Sequence, residues 1–126
     1  MERVRFIDYL GIQILLIDCS HCAPHELTSV FNQVQQVVTL QPPGSVLTLA
    51  DFTDAEFDKK AADHLKVVAT YDRSHVKRSA IVGADSLPDV YYRNLVAFSA
   101  REFPVFKTRE EAMDWLVDGQ AERVAG

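Results

Sequence analysis

The sequence predicts an α/β fold in which helices cover both faces of a mostly parallel sheet. Apolar runs of strand length alternate along the chain with segments whose apolar residues recur at helical spacing. One run, Ile12–Ile17, is apolar at all but one position, which is typical of a strand buried on both faces. The 126 residues, 48% hydrophobic and 25% charged, have an ordinary globular composition. We therefore expect one domain over residues 1–119 and a short tail over residues 120–126.

The chain is predicted to open with a β-hairpin. Residues 3–6 alternate polar and apolar side chains, and Tyr9-Leu-Gly11 supplies a turn into the run Ile12–Ile17. Pro24 then suits the first turn of a helix, and the segment Gln41-Pro-Pro-Gly44 ends it. The apolar positions that define this helix are Leu27, Val30, Phe31, Val34, Val37 and Val38.

The middle of the chain repeats strand and helix twice. Val46–Ala50 is the next predicted strand, and an amphipathic helix follows from about Phe57 to about Tyr71. Ser79–Val82 is a further core strand that Gly83 closes, and the apolar spacing over residues 87–98 predicts another helix.

A short strand and a helix complete the fold. Phe103–Phe106 contains a proline, which lacks an amide donor and therefore suits an edge strand. Thr108 and Glu111 have capping-box spacing at the start of the last helix. The predicted order is ββαβαβαβα, with an antiparallel N-terminal strand and right-handed parallel crossovers after it.

Function is expected at the carboxyl ends of the parallel strands, where ligands usually meet an open α/β sheet. Three loops should lie there together: Asp18–Cys22, Asp51–Asp54 and Gly83–Ser86. The candidate binding residues on these loops and at the start of the helix after Asp51 are Asp18, Ser20, Asp51, Thr53, Asp58, Lys59, Asp85 and Ser86.

Cys19-Ser-His-Cys22 is the sharpest local motif. A dithiol between a strand and a helix is typical of redox sites, because a helix N-terminus lowers a thiol pKa. The sequence offers no proline loop to face the dithiol, so we favour two small residues in a turn. His21 and His25 add metal-ligand types, but structural zinc sites draw ligands from two separated segments. We therefore predict no metal and no cofactor.

Aspartates at strand ends also suggest a phosphoacceptor receiver. Asp18, Asp51 and Asp85 would supply the acids, while Ser86 and Lys107 would supply the hydroxyl and the lysine. The loop after Asp51 lacks the proline and glycine of receivers, and aspartates are common caps. The basic stretch 73–78 suits anion binding, although a polar loop before a buried strand is the commoner explanation. Glycine-rich phosphate loops and catalytic serine or cysteine patterns are absent from the sequence.

Charge and hydropathy limit the partners. The formal net charge of −5 opposes contacts with nucleic-acid phosphates, so we expect no nucleic acid. The longest apolar run, Ile14–Ile17, is too short to span a bilayer, and no signal-peptide core follows the N-terminus. We therefore expect a cytoplasmic protein.

Three segments together resemble the SpoIIAA-like group of STAS domains, which are relatives of anti-sigma-factor antagonists and include small bacterial proteins. They are residues 46–53, residues 76–83 and residues 103–116, the last carrying the pattern Phe-x-Thr-x-Glu-Glu-Ala-x-x-Trp-Leu. The resemblance implies helices layered on a sheet, little or no catalysis, and a working surface around Asp51 and the following helix. Phosphoswitch members of the superfamily begin that helix with Asp-Ser-Ser-Gly, whereas this chain has Asp58-Lys-Lys-Ala61. The phosphorylated serine is therefore replaced by lysine.

The leading hypothesis is a non-enzymatic protein-interaction module that uses the loops at the strand ends and the helix near Phe57. Homodimerisation is also expected, because the outer strand of the hairpin has an edge that needs covering. The alternative is a domain for a small apolar ligand or a lipid, with Phe6, Phe31, Phe57 and Phe98 available to line a cavity. A dithiol redox protein and a phosphoreceiver are the remaining alternatives.

Overall fold

The structure, a computed structural model, describes residues 2–125, with side chains described as far as residue 118. It confirms the α/β class, the five-stranded sheet and the N-terminal hairpin. The strands lie in the order β1-β2-β3-β4-β5; β1 is antiparallel to β2, and all other neighbours are parallel. The strands are β1 (Val4–Tyr9), β2 (Ile12–Asp18), β3 (Val46–Asp51), β4 (Val76–Val82) and β5 (Val105–Phe106).

Four α-helices connect and cover these strands: α1 (Pro24–Val38), α2 (Lys59–Asp72), α3 (Asp89–Ser99) and α4 (Arg109–Ala125). A single 3-10 turn, Ala84–Ser86, lies between β4 and α3. Helix α4 continues through residue 119 to Ala125. The predicted division into a domain over residues 1–119 and a tail over residues 120–126 stays a prediction.

Side-chain contacts mark the start of three of the helices, α1, α2 and α4. Pro24 occupies the first turn of α1, and the Glu26 carboxylate accepts the Ala23 amide. Asp58 caps α2 by accepting the Ala61 amide at 2.7 Å, which sets the start of α2 two residues after Phe57. At α4 the side-chain cap of the predicted box is present, because the Glu111 amide donates to the Thr108 hydroxyl at 3.1 Å, and the Thr108 hydroxyl lies 3.2 Å from the Glu111 carboxylate.

Two hydrophobic layers hold the sheet. The layer on one face joins β2, β3 and β4 to α1, α2 and α3, with Phe31 and Phe52 fully buried at its centre. The layer on the other face packs Ala112 and Leu116 of α4 against alternate residues of the same strands. The Tyr9 hydroxyl donates to Asp114 at 2.5 Å and so ties β1 to α4. Helices on both faces explain why β2 is apolar at consecutive positions.

The last strand is shorter than its sequence suggests. β5 pairs with β4 only at Ile81 and Val82, whereas the prediction included Phe103 and Pro104. Phe103 is buried in the hydrophobic layer under α1, α2 and α3. The Pro104 carbonyl accepts a hydrogen bond from the Ile81 amide at 2.9 Å. The amino half of β4 therefore lies beyond the reach of β5.

Candidate functional site

The ends of β2 and β3 carry the same short polar motif side by side. Asp18 and Asp51 are register partners at the last positions of the two strands. The Ser20 amide and hydroxyl donate to Asp18 Oδ1 at 3.1 and 2.6 Å. The Thr53 amide and hydroxyl donate to Asp51 Oδ1 at 2.9 and 2.6 Å in the same way. Each aspartate thus closes its own turn.

Arg109 joins the two aspartates. Its Nε donates to Asp51 Oδ2 at 2.8 Å, and its Nη2 lies 3.3 Å from Asp18 Oδ1. Asp51 is only 6% exposed, so it needs a cationic partner in the folded protein. Sequence reasoning missed Arg109 and considered Lys107 instead, although Lys107 is exposed two residues earlier. The only sequence signal was a cation in the first turn of the last helix.

Arg3 fixes the backbone of the same region. Its Nη1 donates to the carbonyls of Asp18 and Ser20 at 3.1 and 3.0 Å. Burial alone would raise the pKa of Asp18, but the hydrogen bonds from Ser20, together with Arg109 and Arg3, lower it below its usual range. Asp18 is therefore ionised at neutral pH.

Backbone hydrogen bonds join the two loops as well. The Cys19 amide donates to the Asp51 carbonyl at 2.9 Å, and the His21 amide donates to the Thr53 carbonyl at 2.8 Å. His21 and Asp54 both have a positive φ, at 58° and 55°, and their side chains lie 3.5 Å apart on the surface. Left-handed backbone at non-glycine residues costs free energy and is concentrated at functional loops.

The remaining predicted residues lie around this cluster without joining its carboxylate network. Asp58 is the cap of α2, and exposed Lys59 pairs with Asp63 at 2.7 Å. Asp85 and Ser86 lie on the 3-10 turn after β4. Gly83, at the start of that turn, is in close contact with Thr53. We use the term rim for the three loops Asp18–Cys22, Asp51–Asp54 and Gly83–Ser86.

The strand-end aspartates of the rim already have partners within the fold. Arg109 neutralises both strand-end aspartates, and the Ser20 and Thr53 hydroxyls donate to those same carboxylates. Each of these two carboxylates therefore already has a guanidinium partner and a hydroxyl partner, and neither is a free phosphoacceptor. Within the described side chains, no group of three or more His, Cys, Asp or Glu residues could hold a metal ion.

The environment of the two cysteines disfavours the thiolate form. Cys19 and Cys22 are free thiols and both are fully buried. Burial raises the pKa of the Cys19 thiol well above its usual value and also raises that of Cys22. A reactive dithiol requires the opposite shift, because the thiolate is the nucleophile.

We expect both thiols to resist modification in the native protein. With excess 5,5′-dithiobis-(2-nitrobenzoic acid) at pH 7.5, colour should develop at the rate of unfolding, whereas protein in denaturant should react at once. A rapid native burst of one thiol or more would contradict this expectation.

A second polar cluster lies inside the hydrophobic layer that α1, α2 and α3 cover. A cavity of about 50 Å³ lies between the sheet and helices α1, α2 and α3. Asp72 lines it, is 3% exposed, and its Oδ1 has no hydrogen-bond partner among the described residues. Burial raises the pKa of Asp72 to about 6, although Arg101 and His75 act in the opposite direction.

Replacing Asp72 with asparagine should therefore stabilise the protein at neutral pH. Because the carboxyl pKa is raised in the folded state, its ionisation lowers stability as pH rises from the unfolded value of 3.8 through about 6. Asp72→Asn should increase the free energy of unfolding by about 1 to 2 kcal/mol at pH 7.5, allowing for the lost attraction to Arg101.

Urea denaturation at pH 7.5 and at pH 4 measures this effect, and the gain should vanish at the lower pH. Asp89→Asn, which changes an exposed carboxyl, is the control and should alter stability little. A loss of stability in Asp72→Asn at pH 7.5 would count against the argument.

No helix among the described residues is long and apolar enough to cross a membrane. A scan against models of known protein families gives no match, and a search of curated proteins finds no relative.

Proposed function

We propose that the chain is a non-enzymatic protein-interaction module that binds its partner through the rim and the first turn of α2. The observation that carries this proposal is the Arg109 bridge between Asp18 and Asp51. This bridge pairs the Arg109 guanidinium with the Asp18 and Asp51 carboxylates. It thereby holds the two loops that follow these aspartates in place. A surface with fixed loops loses little conformational entropy on binding, which favours recognition.

The exposed side chains beside this bridge include both acidic and basic groups. His21 and Asp54 stand on the loops, and Asp58, Lys59 and Lys60 follow at the start of α2. Paired charges of both signs favour a partner with a complementary pattern and add to specificity more than to affinity. A protein surface meets this requirement.

The proposal includes the STAS type suggested by the sequence, without the serine switch. Asp58 already caps α2, and Lys59 and Lys60 occupy its first turn where the superfamily carries the acceptor serine. Partner binding would then be constitutive or controlled by other means than phosphorylation at this helix.

A photo-crosslinking experiment in cells tests the surface. p-Benzoylphenylalanine placed at Glu56 or at Lys60 should give a discrete crosslinked product, since both positions are exposed beside the rim. The same probe at Ser45, exposed at the amino end of β3, is the matched control and should give none. A product of twice the chain mass would identify the partner as a second copy bound at the rim, and not at the hairpin edge where the homodimer is expected. Equal products at all three positions, or none, would reject the rim as the binding surface.

The alternative of an apolar ligand has one supporting observation, the cavity that Phe31 lines. Phe57 packs on Phe31 outside the lining, and Phe6 and Phe98 are exposed, so the set of four phenylalanines does not form one pocket. A space of about 50 Å³ admits a group of only a few heavy atoms, so an acyl chain would have to displace core side chains. Native mass spectrometry of protein purified from cells should show a bound ligand if this alternative holds.

A further inference from the structure

A surface groove lies at the amino end of β4, away from the rim. Its walls come from the segment that runs from the end of α2 into β4, from the loop between α3 and β5, and from Trp115 of α4. Its volume is about 400 Å³, within the range of small-molecule sites. The lining residues are Arg73, Val76, Lys77, Arg78, Ser79, Ala100, Arg101, Glu102 and Trp115. We call it the basic groove.

Positive charge is concentrated in this groove. Among the described side chains, four of the chain's 13 lysines and arginines line it together with one carboxylate, Glu102, although the chain as a whole carries a formal charge of −5. A local field of opposite sign to the net charge attracts anions to this surface while the rest of the molecule repels them.

Protein contacts hold two of the guanidinium groups in place. Arg78 lies over the Trp115 ring, 3.5 Å from its centroid, and its Nη1 donates to the Trp115 carbonyl at 2.9 Å. Arg101 donates to the Ala69 carbonyl at 2.9 Å and to the Ser79 hydroxyl at 2.5 Å. Ala100, directly before Arg101, has a φ of 55°, a backbone conformation that non-glycine residues rarely adopt.

Neither guanidinium has a carboxylate within ion-pair distance in the described part of the chain. Their contacts are neutral oxygens and aromatic rings, in contrast to Arg109, which two aspartates neutralise. Desolvation lowers the pKa of Arg101 to about 10, so burying this cation works against folding. Asp72 attracts Arg101 only from the interior, and it lines the cavity and not the groove.

We propose that the basic groove binds a small organic oxyanion, a carboxylate or a phosphate ester of metabolite size, through Arg78 and Arg101. Planar guanidinium groups donate paired hydrogen bonds that match the oxygens of either group. Trp115, whose ring Arg78 covers, also lines the groove and holds that guanidinium at its edge. This site is independent of the rim, and either proposal can fail without the other.

Nuclear magnetic resonance titration tests the groove with inorganic phosphate and with succinate as separate probes. Trp115 is the only tryptophan, so its indole N–H gives one unambiguous signal beside Arg78. At constant ionic strength set with chloride, that signal and the amides of residues 76–79 should shift to saturation with at least one probe. Tighter binding of phosphate would indicate a phosphate ester as the ligand, and tighter binding of succinate would indicate a carboxylate.

Arg78→Gln should weaken the binding by about tenfold or more, because it removes a hydrogen-bonding charge. Arg78→Lys keeps the charge without the planar fork and should also weaken it. Arg5→Gln, on exposed β1, is the matched control and should bind as the wild type does. Thermal unfolding of each variant checks that the fold is intact.

Non-saturating shifts that are the same in wild type and Arg78→Gln would overturn the proposal, as would the absence of shifts with both probes. Binding of a hexaglutamate peptide without binding of either small anion would replace the proposed ligand class with an acidic protein segment.

Discussion

Replacing Gly83 with alanine is expected to lower the free energy of unfolding by about 3 kcal/mol, from backbone strain and overpacking together. Gly83 has a φ of +74°, and a Cβ atom there would lie 2.4 Å from the Thr53 amide nitrogen and 2.7 Å from its Cα. The Thr53 backbone cannot easily move, because its amide donates to Asp51 and its carbonyl accepts the His21 amide. The clash therefore spreads from the Gly83 loop into the other two loops of the rim.

The control variant Gly44→Ala measures the cost of backbone strain without the steric clash that Gly83→Ala adds. Gly44 also has a positive φ, at +64°, but a Cβ atom there would meet nothing within 4 Å. Its loss should be about 1 kcal/mol, the cost of the backbone conformation alone. Urea denaturation followed by circular dichroism measures both variants. Equal losses would show that the contact between Gly83 and Thr53 is unimportant.

Replacing Arg109 with glutamine should cost about 2 to 3 kcal/mol at pH 7. Removing one partner of a buried pair costs about 3 to 5 kcal/mol, and we reduce this because the Arg109 side chain is 37% exposed. Buried Asp51 would lose its guanidinium partner, and Asp18 would lose one of the groups that lower its pKa. The variant should therefore unfold at a lower urea concentration.

The pH dependence of this loss has a definite sign. The folded pKa of Asp18 is lowered, so its stabilising contribution is present above the unfolded value of 3.8 and disappears as pH falls through the folded value. The difference between wild type and Arg109→Gln should accordingly be full at pH 7 and shrink below pH 4. Arg93→Gln removes an exposed pair with Asp89 and should change stability by less than about 0.5 kcal/mol. An equal loss in the two variants would contradict the role of Arg109.

The fold could be predicted from the sequence because most helices and strands are marked by residues within or next to them. Pro24, the helical spacing of apolar residues and the Thr108 box mark α1 and α4 in the sequence itself. The errors lie at the ends of elements, where tertiary contacts decide. Phe57 is apolar at helical spacing, but the Asp58 cap starts α2 after it, and burial of Phe103 shortens β5.

The candidate site was predicted only in part. Asp18 and Asp51 could be placed together, because strand ends meet at one edge of a parallel sheet. Repetition of aspartate followed two residues later by serine or threonine could have revealed the paired turns. Arg109 follows Asp51 by 58 positions, and its role depends on how α4 lies across the sheet. The single-sequence pattern holds no information on that packing.

The separation of these residues along the chain has a consequence for synthesis. Arg109 belongs to the last helix, so a ribosome-bound chain that already contains β1 to β4 still exposes Asp18 and Asp51 without their cation. The rim can reach its final geometry only after α4 emerges and docks. A partner that recognises this geometry would bind finished molecules and pass over nascent or C-terminally truncated ones.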